Sequence, residues 1–153
     1  AIDASAVTYL AKKMNLSPDE MSSYLNKQCG FLGVSDVSSD NREIYAAINN
    51  GDEKAQLTAD MLRYEIKKYY AAVMNGLDAV IFTGGIGENS WEVRGGVCTN
   101  MDYLGIKIDF ELNKTIRGTQ AKISTPDSKV EVWVIPTNEE LLIARDTLAI
   151  ISK

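Results

Sequence analysis

The residues with the clearest chemical potential are Phe82-Thr83-Gly84-Gly85-Ile86-Gly87-Glu88-Asn89, where a short apolar run gives way to three glycines and then to polar side chains. Glycine has no Cβ, so main chain at such a place can approach a ligand closely. A helix starting beyond the turn adds free N–H groups and a positive dipole end, which suit a phosphate or ribose oxygen. A tight strand-to-helix turn with no ligand needs the same residues, and spacing alone leaves both readings open. Two familiar phosphate motifs are absent. No Gly-Lys-Ser or Gly-Lys-Thr follows, which excludes the G-x-x-x-x-G-K loop. A dinucleotide-binding oxidoreductase is disfavoured because the third glycine position of its fingerprint falls on Ser90 and a helix precedes the run.

A second group is Thr137-Asn138-Glu139-Glu140. Thr137 reads as a helix cap with Glu140 as its partner in a capping box, which leaves Glu139 over. A first-turn acid gains a few tenths to about 1 kcal/mol from the helix dipole, enough to account for Glu139. The chemical reading of the same residue is a carboxylate serving Mg²⁺, an ion that keeps waters and takes few carboxylates beside substrate phosphates. Asp40-Asn41-Arg42 is the third group. Asp40 suffices as a cap, while the Arg42 guanidinium is either solvated or available to a base or phosphate. Tyr64, Tyr69 and Tyr70 share a helical stretch and read as core or subunit contact.

Elements that must position these groups follow from hydrophobic period and punctuation. Residues 3–14 read as a helix, with Val7, Leu10, Ala11 and Met14 on one face. Ser17-Pro18-Asp19-Glu20 combines a cap, a first-turn proline and a box partner, and Gly30 stops that helix. Residues 31–39 read as loop. Asp40 starts the next helix, with Ile44, Ala47 and Ile48 as its buried face, and Asp52 opens a long one reaching about Met74 and ended by Asn75-Gly76. Ala79-Val80-Ile81-Phe82 reads as a buried parallel strand, followed by the glycine loop and a helix capped by Asn89 or Ser90. Residues 105–108 and 130–135 are further strand candidates, and a last helix carries Leu141, Leu142, Arg145 and Leu148. Alternating helices and few strands give an α/β class, helix-rich with a short mixed sheet. So few strands suggest that others lie in residues before Ala1, and the chain's immediate start in a helical pattern suggests a beginning inside something longer.

With 153 residues and a net charge of -5, the chain fits one ordinary domain and lacks the clustered cations of a nucleic-acid surface. It contains no histidine, so neither a Cys/His zinc site nor a Cys-His or Ser-His nucleophile can form within it. Cys29 and Cys98 read as reduced, buried thiols of a cytosolic protein. No run approaches the roughly 20 apolar residues of a membrane span.

Residues 78–90 closely resemble the second characteristic motif of the acetate kinase (acetokinase) family. The likeness extends to residues 33–42, 105–109, 123–126 and 134–141 in the family's order, and so covers nearly the whole chain. The resemblance implies part of an RNase H-like domain of the actin, sugar kinase and heat-shock ATPase superfamily. It also implies that residues 1–153 are the C-terminal nucleotide-binding and dimerisation part of a cytoplasmic homodimer whose N-terminal half is absent. The implied reaction is phosphoryl transfer between ATP and acetate, giving ADP and acetyl phosphate with Mg²⁺; propionate or butyrate are the other acids, and a non-catalytic dimerisation module is the competing class. Carried over, Gly85, Ile86, Gly87, Glu88 and Asn89 match the nucleotide loop, Asp40, Asn41 and Arg42 a second adenosine segment, and Glu139 the magnesium-associated glutamate. The family's phosphate-binding Asn, catalytic Asp and Arg residues and active-site His have no counterpart here, so no catalytic residue is assigned. Residues 66–72 form a stretch a few residues shorter than the family pattern, which could shift the strand at Ala79.

Overall fold

A computed structural model describes residues 2–73 and 76–152. The chain divides into two compact units, Ala1–Leu62 and Arg63–Lys153. The first holds α1 (Ala4–Met14), α2 (Pro18–Lys27), α3 (Phe31–Ser35), α4 (Asn41–Asn49) and the opening turns of α5 (Glu53–Ala71). The expected punctuation is used almost as written. Ser17 and Glu20 close the expected reciprocal capping box on α2, while Asp3, read from sequence as the first helical residue, instead caps α1 through the Ser5 and Ala6 amides. Asp52 receives the Ala55 amide at 2.9 Å. Met21, Ile44, Ala55 and Ala59 are buried, whereas Ala47 and Ile48 are only half-buried.

Residues 31–35 form α3, although that stretch reads as loop in sequence. Five residues are too few for a hydrophobic period to register, and the helix is held by a local device. The buried Ser35 hydroxyl donates to Phe31 O at 2.6 Å and accepts from the Val37 amide at 3.0 Å, so it closes the helix and starts the next turn. The expected ending of α5 at Met74 and Asn75 lies outside the described residues.

The second unit is built on a three-stranded mixed sheet in the order β1 (Ala79–Phe82), β3 (Glu131–Val134), β2 (Ala121–Lys122). β1 and β3 are parallel, with Val80 opposite Val132 and Phe82 opposite Val134; β2 is antiparallel to β3. All four of these inward residues are buried, while Ala79 and Ile81 face outward and Ile81 is 54% exposed. The expectation of a strand buried on both faces is therefore corrected: in the described chain one face of β1 is open. The 105–108 candidate is not a strand either. Only isolated bridges occur there, Ile106 with Val130 and Ile108 with Ser124, which still place both isoleucines in the core. The preceding 3-10 turn (Asp102–Leu104) and Gly105, at φ 82°, turn the chain too sharply for a longer ladder.

Between β1 and β3 lie α6 (Gly84–Asn89), α7 (Trp91–Cys98) and α8 (Phe110–Thr115); α9 (Glu139–Ile151) follows β3. α9 buries no residue, and Leu141, Leu142 and Leu148 are all exposed. Tyr64 and Tyr69 on α5 are also exposed, which corrects the core alternative of their reading as core or subunit contact, and of the three only Tyr70 is partly covered. Cys98 is buried and its thiol is pushed up to about 12 by desolvation, so it stays an unreactive thiol; Cys29 is only half-buried.

The one-sided sheet gives a stability contrast. Ile123→Ala removes a fully buried side chain and should cost about 2–5 kcal/mol. Ile81→Ala on the open face should stay within about 0.5 kcal/mol. Urea unfolding midpoints of the two variants check this, and equal losses would mean that both faces are packed.

Candidate functional site

Because β1 and β3 are parallel, their carboxyl ends emerge on the same edge of the sheet. The Ile135 amide extends the ladder by donating to Phe82 O at 2.9 Å, and beyond it the two chains separate into residues 83–90 and 136–139. An edge of this kind is where α/β domains bind ligands. The glycine stretch is not an open loop leading into a helix. It is itself the short helix α6, beginning at Gly84 with φ 68°, a left-handed conformation that favours glycine. Ser90 then caps α7 by accepting the Val93 amide at 3.3 Å, and Asn89 donates from Nδ2 back to Gly85 O at 3.0 Å.

The glycines have different reasons to be glycine. A Cβ on Gly87 would stand 3.1 Å from the Phe82 carbonyl carbon, so that glycine lets α6 lie against the end of β1. A Cβ on Gly85 would meet nothing within 4 Å. Gly85 and Ile86 are exposed, and the main chain at Gly85 is open to close approach from outside. This is the part of the turn that fits a bound phosphate or ribose.

Glu88 joins the turn to the second sequence group. Its Oε1 accepts from the Thr137 amide at 2.7 Å and from the Thr137 hydroxyl at 2.9 Å. These two bonds, the backbone one first, hold its carboxyl below the ordinary glutamate value. Thr137 is therefore not the cap of the last helix. Asn138 caps α9 by accepting the Leu141 amide at 2.9 Å, one residue later than expected, because the Thr137 hydroxyl is committed to Glu88. Glu139 and Glu140 occupy the exposed first turn of α9. No cluster of three or more His, Cys, Asp or Glu able to hold a metal exists among the described residues. Glu139 fits Mg²⁺ only as a single carboxylate reaching an ion held mainly by phosphate and water.

Asp40, Asn41 and Arg42 lie in the first unit at the start of α4. Asp40 accepts the Arg42 amide at 2.8 Å, and the Arg42 guanidinium returns to both carboxylate oxygens, Nη2 lying 2.6 Å from Oδ2. That guanidinium lowers the Asp40 carboxyl to about 2, yet it is 89% exposed itself and can swing to another anion. Sequence reasoning missed two residues that the structure brings to the turn. Arg94 and Asn113 are both fully buried beneath α6. Arg94 Nη1 donates to Gly87 O at 2.8 Å and Glu88 O at 3.0 Å, and its Nε donates to Asn113 Oδ1 at 2.8 Å. The adjacent Gly95-Gly96 pair was the available signal, since glycines inside a helix usually mark close packing. A cavity of about 350 Å³ lined by Cys98, Asp102, Lys107 and Asp127 contains none of the residues assigned to nucleotide or metal, residues 40–42, 85–89 and 139.

Taken together, the second unit is an α/β domain with a glycine turn and an acid-bearing loop clasped at one sheet edge. The model of the acetokinase family matches residues 1–145. The acetate kinase of Bacteroides thetaiotaomicron is 53% identical over 155 aligned residues, and that of Dictyoglomus thermophilum 48%, each alignment covering 99% of this chain. Among solved structures, Porphyromonas gingivalis acetate kinase superposes with a TM-score of 0.86 at 47% identity, covering 99% of this chain and 39% of that one. A propionate kinase from Francisella tularensis gives 0.81 at 35% identity, covering 94% of this chain and 37% of that one. The chain belongs to the acetokinase family. It spans about 39% of the length of the acetate kinases it matches.

Two measurements check the geometry. Gly87→Ala should destabilise the chain by about 1–3 kcal/mol through overpacking against Phe82, whereas Gly85→Ala should leave thermal unfolding nearly unchanged. Asp40 should titrate near 2 in a carboxyl NMR experiment. Because its folded value is depressed, its contribution to stability is present above the ordinary aspartate value and disappears as pH falls through about 2. Arg42→Ala should return the midpoint towards the ordinary carboxylate range.

Proposed function

We propose that this chain is the adenosine-binding part of a kinase that uses ATP and Mg²⁺ to convert acetate to acetyl phosphate. The reading rests on family membership and on one structural observation: the open main chain at Gly85 and the acid-bearing segment after β3 stand on the same sheet edge, tied by Glu88 and Thr137. In this reading residues 85–89 border the nucleotide, Asp40, Asn41 and Arg42 form a second adenosine contact, and Glu139 reaches Mg²⁺ through water. The chain corresponds to the C-terminal nucleotide-binding and dimerisation portion of an RNase H-like kinase acting as a cytoplasmic homodimer.

Phosphoryl transfer needs in-line placement and charge stabilisation more than covalent help from the protein. This chain's residues contribute the first. Gly85 admits a ligand to main-chain contact, Arg42 offers a planar cation to a base or phosphate, and the Glu88 clasp fixes where Glu139 starts. Mg²⁺, when bound, neutralises charge on the transferring phosphate. The acetate pocket and the cations that face the reacting phosphate belong to the part of the relatives' length that this chain does not span. By itself the chain is expected to bind nucleotide weakly, because a cleft ligand loses burial when one wall is missing, and to show no turnover. Propionate is the second acid to consider, since the Francisella tularensis propionate kinase shares this architecture.

Titration of the chain with ADP, followed by amide NMR, tests the proposal. Shifts concentrated at residues 85–89 and 137–139 are the expected result. Saturable shifts confined to other residues, or none at millimolar ADP, would overturn it and leave a non-catalytic interaction module as the better reading.

A further inference from the structure

Arg94 is fully buried, and its five N–H groups all meet neutral oxygens. Nε and one Nη2 bond reach the side chain and carbonyl of Asn113, the other Nη2 bond reaches Ile116 O at 2.7 Å, and Nη1 spans Gly87 O and Glu88 O. Asn113 is fixed in turn, donating from Nδ2 to Trp91 O at 2.9 Å. Stability alone does not call for this arrangement. A buried charge carries a desolvation cost, and an apolar residue of similar volume is often neutral or better. What the guanidinium supplies is direction. α6 and α8 have six residues each, too few to hold their own shape, and their last carbonyls have no partners within the helix. A single planar fork takes carbonyls from both ends at once.

We infer that Arg94, seated by Asn113, is the positioning residue of the nucleotide turn: its fork fixes Gly87 and Glu88, and through them the open main chain at Gly85 and the clasp on Thr137. Two constraints then act on α6. Gly87 rests on Phe82, and the Gly87 and Glu88 carbonyls are drawn towards Arg94. With both in place, the Glu88 side chain leaves the helix towards Thr137, whose hydroxyl it meets at 2.9 Å. A lysine cannot reproduce this, because an ammonium has three donors and no fixed plane. This inference rests on the nucleotide-binding reading of the turn.

The test compares the full chain with Arg94→Lys and Asn113→Asp, the latter keeping an oxygen acceptor for Nε. Each is followed by amide NMR with and without ADP, after circular dichroism has established folding. Arg94→Lys should displace the amide signals of residues 85–89 and Thr137 before any ligand is added, and should weaken ADP binding roughly ten-fold or more. Asn113→Asp, which keeps the acceptor for Nε but loses the Nδ2 donor to Trp91 O, should displace the same signals and weaken binding by less than Arg94→Lys does. A folded Arg94→Lys chain with unmoved turn signals and unchanged affinity overturns the inference while leaving the nucleotide reading intact. A wild-type chain that gives no ADP response removes the nucleotide reading and this inference with it. If Arg94→Lys does not fold, the wild-type chain decides. Its Arg94 guanidinium protons should exchange slowly and shift on ADP saturation, and Arg94 signals that stay fixed while Gly85 moves would refute the coupling.

Discussion

The parallel pairing of β1 with β3 is the constraint from which the candidate site follows. Parallel strands point their carboxyl ends the same way, so residues 83–90 and 136–139 must leave the sheet side by side although 49 residues separate Glu88 from Thr137. The register is specified by burial. Val80, Phe82, Val132 and Val134 all face inward, and sliding either strand by one residue would turn its valines out and bring Ile81 or Trp133 in. A slip of two would preserve the inward pattern but break the Ile135-to-Phe82 bond and carry Thr137 past Glu88. Strand register and the clasp therefore enforce one another.

That dependence divides the glycine turn into two kinds of residue. Gly87 is required by the fold, since its missing side chain is the space that Phe82 main chain fills. Gly84 is required by the backbone angle at which β1 turns into α6. Neither requirement applies to Gly85, whose α-carbon faces open space in an ordinary helical conformation. In the proposed reading, the bare α-carbon at Gly85 is what lets a ligand come close to the main chain.

How much of this was legible in sequence depends on the range over which each signal acts. The caps at Ser17 and Asp40, and Ser90 as one of two candidates, were readable because a capping side chain and its amide lie within three residues of each other. β1 was readable as a short apolar run of strand-forming residues, and β3 from the alternation of residues 130–135. What could not be read required partners distant in the chain. Thr137 has the right type and place to cap α9, and only the presence of Glu88 diverts it to leave Asn138 in that role. Arg94, between Val93 and Gly95, received no reading from the sequence, since nothing local announces five carbonyl and amide oxygens gathered around it. The exposed leucines of α9 and the exposed Tyr64 and Tyr69 show the same limit from the other side, since helical period marks an apolar stripe without saying what covers it.

Glu88 illustrates how a motif residue can serve a site without lending its side chain to the ligand. An ionised carboxylate is an acceptor only, and beside a polyphosphate it would repel. In this structure its charge is turned away into two hydrogen bonds from Thr137, and the same bonds favour the ionised form over the neutral one. What remains for a nucleotide at position 88 is main chain, and its carbonyl is already taken by Arg94 and by the Gly118 amide at 3.2 Å. The residue that looks most like a catalytic acid in the glycine motif is thus engaged through Oε1 and through its main-chain carbonyl. Its contribution is to tie together the two loops that carry the open backbone at Gly85 and the carboxylate of Glu139.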